Sequence, residues 1–377
     1  MRVLVDYRPA LRERSGAGEF THRLVSQMLR STRVDLTIFS SSWKDRLAPN
    51  PELVGATIVD RRVPVRLLNL AWHRFGWPSA ETLTGRRYDV THSSHPLLLP
   101  ARDAAQVITI HDLNFLSHPE FTRAEIRRDY PPLARAHAQC ADAILTPSAF
   151  TAGEIARQFG VGRERIAVCP PGAPEWAPRA AAPRDGYILF FGTLEPRKNV
   201  AGLLDAYERL LVGAGFRRGV SGHIPDLVLA GKATADARPW LDRIARAPLA
   251  GHVRHIGYVE HDNRQALYAG ARLLVQPSFE EGFGMSVLEA MTLGVPVVTS
   301  NRGSLPEVVG HAAPLVNPED PEALANAIAH LLDNPASAAR SVAAGLRRAR
   351  EFSWERTAQR VFNLYQLAIE HRRCASA

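Results

Sequence analysis

The 377-residue chain is 46% apolar and 22% charged and carries a formal net charge of +8. These proportions exclude a disordered chain, and the longest apolar runs fall far short of a bilayer span. The length exceeds what one hydrophobic core usually serves, so two globular domains of about 150 to 200 residues are expected. Cys140, Cys169 and Cys374 are scattered; they form neither a disulfide framework nor zinc spacing and read as reduced. Positive charge is spread out, with 23 basic and 18 acidic residues up to Ala177, which favours anionic partners but marks no nucleic-acid patch. The opening MRVLVDYRPA enters a strand-like run without a signal peptide's regions, which predicts a cytoplasmic protein, at most peripheral at the inner face of a membrane. Of 46 basic residues only Lys44, Lys198 and Lys232 are lysine.

In chain order, RVLV predicts a first strand, and Gly16 and Gly18 in the following RSGAGEF form a turn that opens a helix. VDLTIF is the second strand. The next segment interleaves Arg61, Arg62, Arg66 and Arg74 with Leu67, Leu68, Trp72, Phe75 and Trp77. A packed helix with arginines on its wet side is the first reading, and a surface helix facing lipid the second. VITI, ending at His111-Asp112, and AILTP are further strands. CPPGAPEWAPRAAAPRDG, residues 169–186, lacks periodicity and reads as an interdomain connection. The alternation then restarts with YILFFG, DLVLAG, VRHIGYV, ARLLVQP and PVVTS. A closing helix carries Ala358, Val361, Phe362, Leu364 and Leu367 at helical spacing. The predicted class is α/β, with two doubly wound parallel sheets whose strand carboxyl ends bind ligands.

Four places carry candidate chemistry. After ARLLVQP, Glu281 sits on a turn where Gly282 and Gly284 let the backbone approach a ligand. A helix opening near Ser286 would turn its amides toward an anion and place Glu289 as its third residue. The plain alternative is a capping box, in which Ser286 caps the helix and Glu289 satisfies a backbone amide. Gly282-x-Gly284 is a poor dinucleotide fingerprint, since the third glycine is missing. Arg197 and Lys198, between a strand end and a helix near Asn199, could neutralise a diphosphate or be solvated surface charge. His111 could donate to a substrate hydroxyl with Asp112 fixing its tautomer, or be structural.

Together these motifs resemble the retaining GT-B glycosyltransferases of glycosyltransferase family 4, in particular its mannosyltransferase-like group. The likeness runs over nearly the whole chain: RSGAGEF, ITIHDLNFLSHPE, ADAILTPSAFT, FGTLEPRKN, LVLAGK, IGYVEHDNRQALYAGARLLVQPS, EEGFGMSVLEAMTLGVPVV, SLPEVVG and FSWERTA. It implies two Rossmann-like domains facing a deep interdomain cleft. Residues 1–175 would be the acceptor-side domain, 176–357 the donor-binding domain, and a last helix at about 358–377 would cross back to the first.

The resemblance also implies roles. Glu281 and Glu289 match the family's acid pair, the first near the donor sugar and the second on the ribose hydroxyls. Lys198 matches the diphosphate-binding lysine, and Gly282, Phe283, Gly284, Met285, Ser286 and Val287 match the turn whose amides meet sugar and phosphates. His111 matches a histidine touching the donor sugar, Gly16 the turn beside the phosphates, and Tyr258 and Val259 the loop lining the base pocket. His111, Lys198 and Glu281 are the expected catalytic residues. Three positions depart from the pattern: Thr193 and Glu19 stand where relatives often have arginine, and Ser286 where proline is common. Arg197 is the candidate for the second positive charge.

The implied reaction moves a hexose from a nucleotide-diphosphate sugar, with GDP-mannose favoured, to a glycan or lipid-linked saccharide. The configuration would be retained and no metal or other cofactor is expected. Expected partners are that donor, that acceptor and an anionic membrane surface, with no nucleic acid. A same-fold epimerase or phosphorylase and a non-catalytic nucleotide-sugar-binding protein are the alternatives; a glycosidase using the two glutamates is a poorer one.

Overall fold

The computed structural model describes residues 1–11, 14, 16–30, 34–121, 124–213 and 224–376, without the side chains of residues 73, 121, 124–129, 375 and 376. Ser15, within the early glycine turn, and Ala377, the end of the expected closing helix, lie outside the described residues. The chain divides into two compact units, one formed by Met1–Ser117, Thr122–Gly172 and Ser353–Ala377 and the other by His118–Phe121 and Ala173–Phe352. Both are built on a parallel sheet.

The first unit contains β1 (Arg2–Asp6), β2 (Asp35–Ser41), β3 (Thr57–Arg61), β4 (Val90–Ser93), β5 (Ala105–Thr109), β6 (Ala143–Thr146) and β7 (Ile166–Val168). Their order is β3-β2-β1-β4-β5-β6-β7. The second contains β8 (Tyr187–Phe191), β9 (Leu227–Ala230), β10 (Val253–Gly257), β11 (Ala271–Gln276), β12 (Val297–Ser300) and β13 (Leu315–Val316), ordered β10-β9-β8-β11-β12-β13. Each sheet therefore has the Rossmann arrangement, with the direction of winding reversing at β1/β4 and at β8/β11. Loops leave a reversal point on opposite sides, so the carboxyl ends of those strands border an open crevice.

The central strands of the second sheet are apolar on both faces because helices cover both. In the second unit, Ile188, Phe190, Leu227 and Leu229 pack against Leu203, Leu204 and Tyr207 of the Val200–Val212 helix. Their neighbours Leu189, Val228 and Leu274 pack on the opposite face against Val287, Leu288 and Met291 of the Met285–Leu293 helix. This two-residue alternation is what a pleated strand imposes. Among the described residues no helix is long and apolar enough to cross a membrane.

The closing helix, Trp354–Ser376, belongs to the first unit and buries Val361, Leu364, Tyr365 and Ala368 in its core. Its anchor is polar: the Tyr365 hydroxyl lies 2.7 Å from His92 Nδ1, and His92 Nε2 lies 2.8 Å from Thr109 Oγ1. Burial, with His111 nearby, pushes the His92 pKa down to about 3, so the imidazole is neutral at pH 7. The unfolded chain would protonate it near pH 6.5. Stability is therefore complete above that pH and declines as pH falls, by about 1.4 kcal/mol per unit for this group. Thermal melts between pH 7 and 4 should show a falling midpoint that flattens in His92→Gln.

Candidate active site

In the second unit two loops leave the β8/β11 reversal point. After β8, Pro196–Lys198 makes a single 3-10 turn that ends in Asn199, whose φ of 55° is left-handed. The Asn199 side chain accepts from the Gly202 amide at 3.1 Å and donates to the Pro318 carbonyl at 2.7 Å. This cap starts the Val200–Val212 helix and turns the preceding cations toward the second loop. The two loops are joined by the Phe279 amide, which donates to the Arg197 carbonyl at 2.8 Å.

Glu281, on the loop after β11, is 6% exposed. Its Oε1 accepts from Lys198 Nζ at 2.5 Å, Ser278 Oγ at 2.7 Å and Gln276 Nε2 at 3.1 Å. Its Oε2 accepts from Arg197 Nη1 at 3.2 Å. Burial works to raise the pKa of this carboxyl, but Lys198 and Arg197 outweigh it and hold the value at about 2. Burial, together with Arg197, lowers the Lys198 pKa against the opposing pull of Glu281. The structure thus unites the neighbours Arg197 and Lys198 with Glu281, more than 80 positions further along the chain. An acid ionised down to about pH 2 cannot donate a proton at neutral pH. Glu281 therefore does not fit the general acid of a glycosidase pair.

The helix after the glycine turn runs from Met285 to Leu293, and Gly284, at φ 103°, is its N-cap. A Cβ at Gly284 would lie 2.7 Å from Leu305 Cδ2. This corrects the capping expectation. The left-handed glycine starts the helix two residues earlier, so Ser286 lies inside the first turn and its hydroxyl donates to Gln276 Oε1 at 3.2 Å. Glu289 is the fifth helical residue instead of the third, and no capping box forms. In this turn the Phe283 and Val287 side chains are buried in the core, which leaves the backbone to face a ligand.

Glu289 has a separate environment. Its Oε1 is 3.8 Å from Nη1 of Arg264, an arginine 4% exposed whose guanidinium lies 5.7 Å from the Phe191 ring centroid. Tyr268, one turn on, has its pKa raised well above the ordinary value by burial and then by Glu289. Sequence reading missed Arg264. The available signal was an arginine four residues before Tyr268 on the apolar side of HDNRQALYA. At the end of β10, Gly257 takes φ 73°; beyond it Val259 is half-buried, and Lys232 Nζ lies 5.6 Å from the Tyr258 ring centroid.

Gly16 and His111 belong to the first unit. Gly16, at φ 47°, caps the Ala17–Leu29 helix, whose Phe20 meets the His111 ring edge-on at 5.3 Å. Glu19 is buried and accepts from Arg23 Nε at 2.9 Å within the same helix. Burial lowers the His111 pKa to about 4, despite the nearby Asp112 charge and a hydrogen bond to the Ser94 backbone. Asp112 itself accepts from the Asn114 amide at 3.2 Å. His111 Nε2 is buried with no partner, which leaves it open to a hydrogen bond with a hydroxyl. Among the described residues no cluster of three or more metal-ligating side chains occurs.

Residues 14–175 match the sequence profile described as Glycosyltransferase Family 4, and residues 175–348 match Glycosyl transferases group 1. O-antigen chain mannosyltransferase B of Escherichia coli is 36% identical over 396 residues, spanning 97% of this chain and 100% of that protein. The solved structure of sucrose-phosphate synthase from Thermosynechococcus elongatus superposes with a TM-score of 0.75 at 20% identity, over 97% of this chain and 98% of its own. Anabaena HepE in complex with UDP-glucose gives 0.68 at 18%, over 96% and 98%. At these identities the structural likenesses speak for the fold.

Gly284→Ala should destabilise the second unit, because it adds a clash with Leu305 to a backbone that alanine resists. The expected loss in urea melts is about 1 to 3 kcal/mol; an unchanged midpoint would contradict the cap.

Proposed function

The chain belongs to glycosyltransferase family 4 and is a GT-B glycosyltransferase, and we propose that it transfers mannose with retention of configuration from GDP-mannose to a glycan or lipid-linked saccharide. The observation that carries the proposal is the pairing of Arg197 and Lys198 on buried Glu281 at the β8/β11 reversal point. Mannose is supported by the O-antigen chain mannosyltransferase B of E. coli, which matches along its whole length. A nucleotide-sugar donor is supported by the structural likeness to HepE, whose solved complex contains UDP-glucose.

Cleaving the bond between sugar and diphosphate leaves positive charge on the ring and additional negative charge on the leaving group. Lys198 and Arg197, with the amino end of the Met285–Leu293 helix, would stabilise that diphosphate more strongly than the intact donor, which lowers the barrier. Glu281 orients the cations and, being ionised, faces the developing positive charge. Glu289, held by Arg264, would take the ribose hydroxyls. Neutral His111 would hydrogen-bond with a hydroxyl of the sugar. In this reading the departing phosphate takes the acceptor's proton as the new bond forms on the same face, and the two cations fill the place a divalent metal would otherwise take.

Incubation with GDP-mannose and acceptor, followed by NMR of the new linkage, tests the reading. It expects an α-mannoside and a rate unaffected by EDTA. An inverted product, or conversion of the donor without acceptor, would refute it. Lys198→Ala should lower kcat by about 100- to 1000-fold while the thermal transition persists, because Arg197, Ser278 and Gln276 still serve Glu281. Donor affinity should also decline with rising pH before the ordinary lysine range of about 10.4 is reached. The charge that grips the diphosphate is present at low pH and is lost as pH passes the lowered Lys198 value. Donor titrations from pH 7 to 10 check the direction.

A further inference from the structure

We propose that the Val65–Phe75 helix and its flanks form a docking surface for an anionic lipid bilayer. The helix is apolar on two sides. Its inner stripe, Leu68 and Trp72, is 3% and 4% exposed and packs with Leu4, Phe39 and Leu99. On the outside, Leu67 is 60% exposed, Leu70 61% and Phe75 74%, followed by Trp77 at 62%. An ordinary surface helix keeps that side polar. The inner stripe fits the packed-helix reading made from the sequence, and the outer side is the one the lipid-facing reading requires.

The patch continues beyond the helix. The Ser42 amide donates to the Arg61 carbonyl at 3.2 Å, and Ser41 Oγ to the Val63 carbonyl at 2.9 Å. These bonds bring Trp43, 70% exposed, to the chain entering the helix. Eight of the eleven exposed large hydrophobic side chains among the described residues fall between Trp43 and Trp77. Such clustering marks an interaction site; scattered single residues would not.

Charge selects the occupant. Arg62, Arg66 and Arg74 are exposed, and no acidic residue occurs from Arg61 through Ala80. Arg66 and Arg74 lie on the same outward side as Leu67 and Leu70, by helical spacing. A second copy docking through this face would set these arginines against themselves, with no carboxylate in the segment to relieve them. An anionic bilayer meets both demands: phosphate groups take the guanidinium ions, while leucine, phenylalanine and tryptophan enter the interface below them. The proposal is independent of the transfer reading, since vesicle binding needs no donor and a failed transfer assay leaves it standing.

The test is sedimentation of the full chain with vesicles of phosphatidylcholine alone or with about one-third phosphatidylglycerol. Binding is expected only to the mixed vesicles, with loss at about 0.5 M salt. Leu67→Ser with Leu70→Ser, and separately Arg66→Glu with Arg74→Glu, should each weaken binding by at least about tenfold. Their thermal midpoints should stay unchanged because the side chains are exposed. Equal binding to both vesicle types, no binding to either, variants that bind like the parent, or a dimer that Leu67→Ser with Leu70→Ser dissociates without any vesicle binding would each overturn the proposal.

Discussion

A carboxylate buried at the centre of a sheet edge is unfavourable unless cations reach it, and Glu281 is reached by two. That requirement closes the crevice side of the second unit. Arg197 and Lys198 are neighbours with like charge; Arg197 also pairs with Glu195 at 2.7 Å, and Glu281 is the anion the two cations share. The anion lies on a loop that leaves the sheet in the other direction. Tying the loops to one carboxylate fixes both cations before any ligand arrives, while Ser278 and Gln276 fill the remaining acceptor sites so that Glu281 cannot swing away. In the proposed reaction a phosphate entering this edge would meet charges already oriented, with little reorganisation left for the reaction step.

The two glutamates that share one short motif have different surroundings. Glu281 touches a lysine at 2.5 Å in a polar pocket, whereas Glu289 is 3.8 Å from an arginine that lies near Phe191 and Tyr268. Gly284 produces this separation. By taking a left-handed turn between the acids, it puts one in the loop and the other in the second turn of a helix. A nucleotide sugar has a charged middle and hydroxyl-bearing ends, and a pair of acids in unlike surroundings suits such a molecule better than a symmetric pair would.

Much of this was legible in the sequence, and the omissions have physical causes. Strands β1, β2, β5, β6, β8, β9, β11 and β12 announce themselves as apolar runs because both faces are covered, whereas β10, VRHIG, is a partly exposed edge marked by alternation. β3 and β7 are partly exposed edges, β13 has two residues, and β4 reads VTHS, a polar string that is buried through side-chain bonds such as those of His92. At the site, acids and lysine stood out by type and spacing. The start of the helix did not, because Ser286 and Gly284 are both good caps and only backbone torsion distinguishes them. Arg264 was hidden for a related reason: a charged residue in a polar helix looks solvated until burial is known.

The first unit links its outer surface to its sheet edge through one tryptophan. Trp72 is buried beneath the exposed face of its helix, and the Arg8 guanidinium lies 4.7 Å from its ring centroid. Arg8 in turn grips Asp6, the last residue of β1, at 2.6 Å, and His95 lies 3.2 Å from the same carboxylate oxygen. Burial would raise the Asp6 pKa, yet Arg8 and His95 drive it well below the usual carboxylate range. The Asp6 carboxylate is therefore ionised and paired at neutral pH. A helix held against a lipid surface would be held, through Trp72 and Arg8, at a fixed position relative to the carboxyl ends of β1 and β4, where the first sheet reverses its winding.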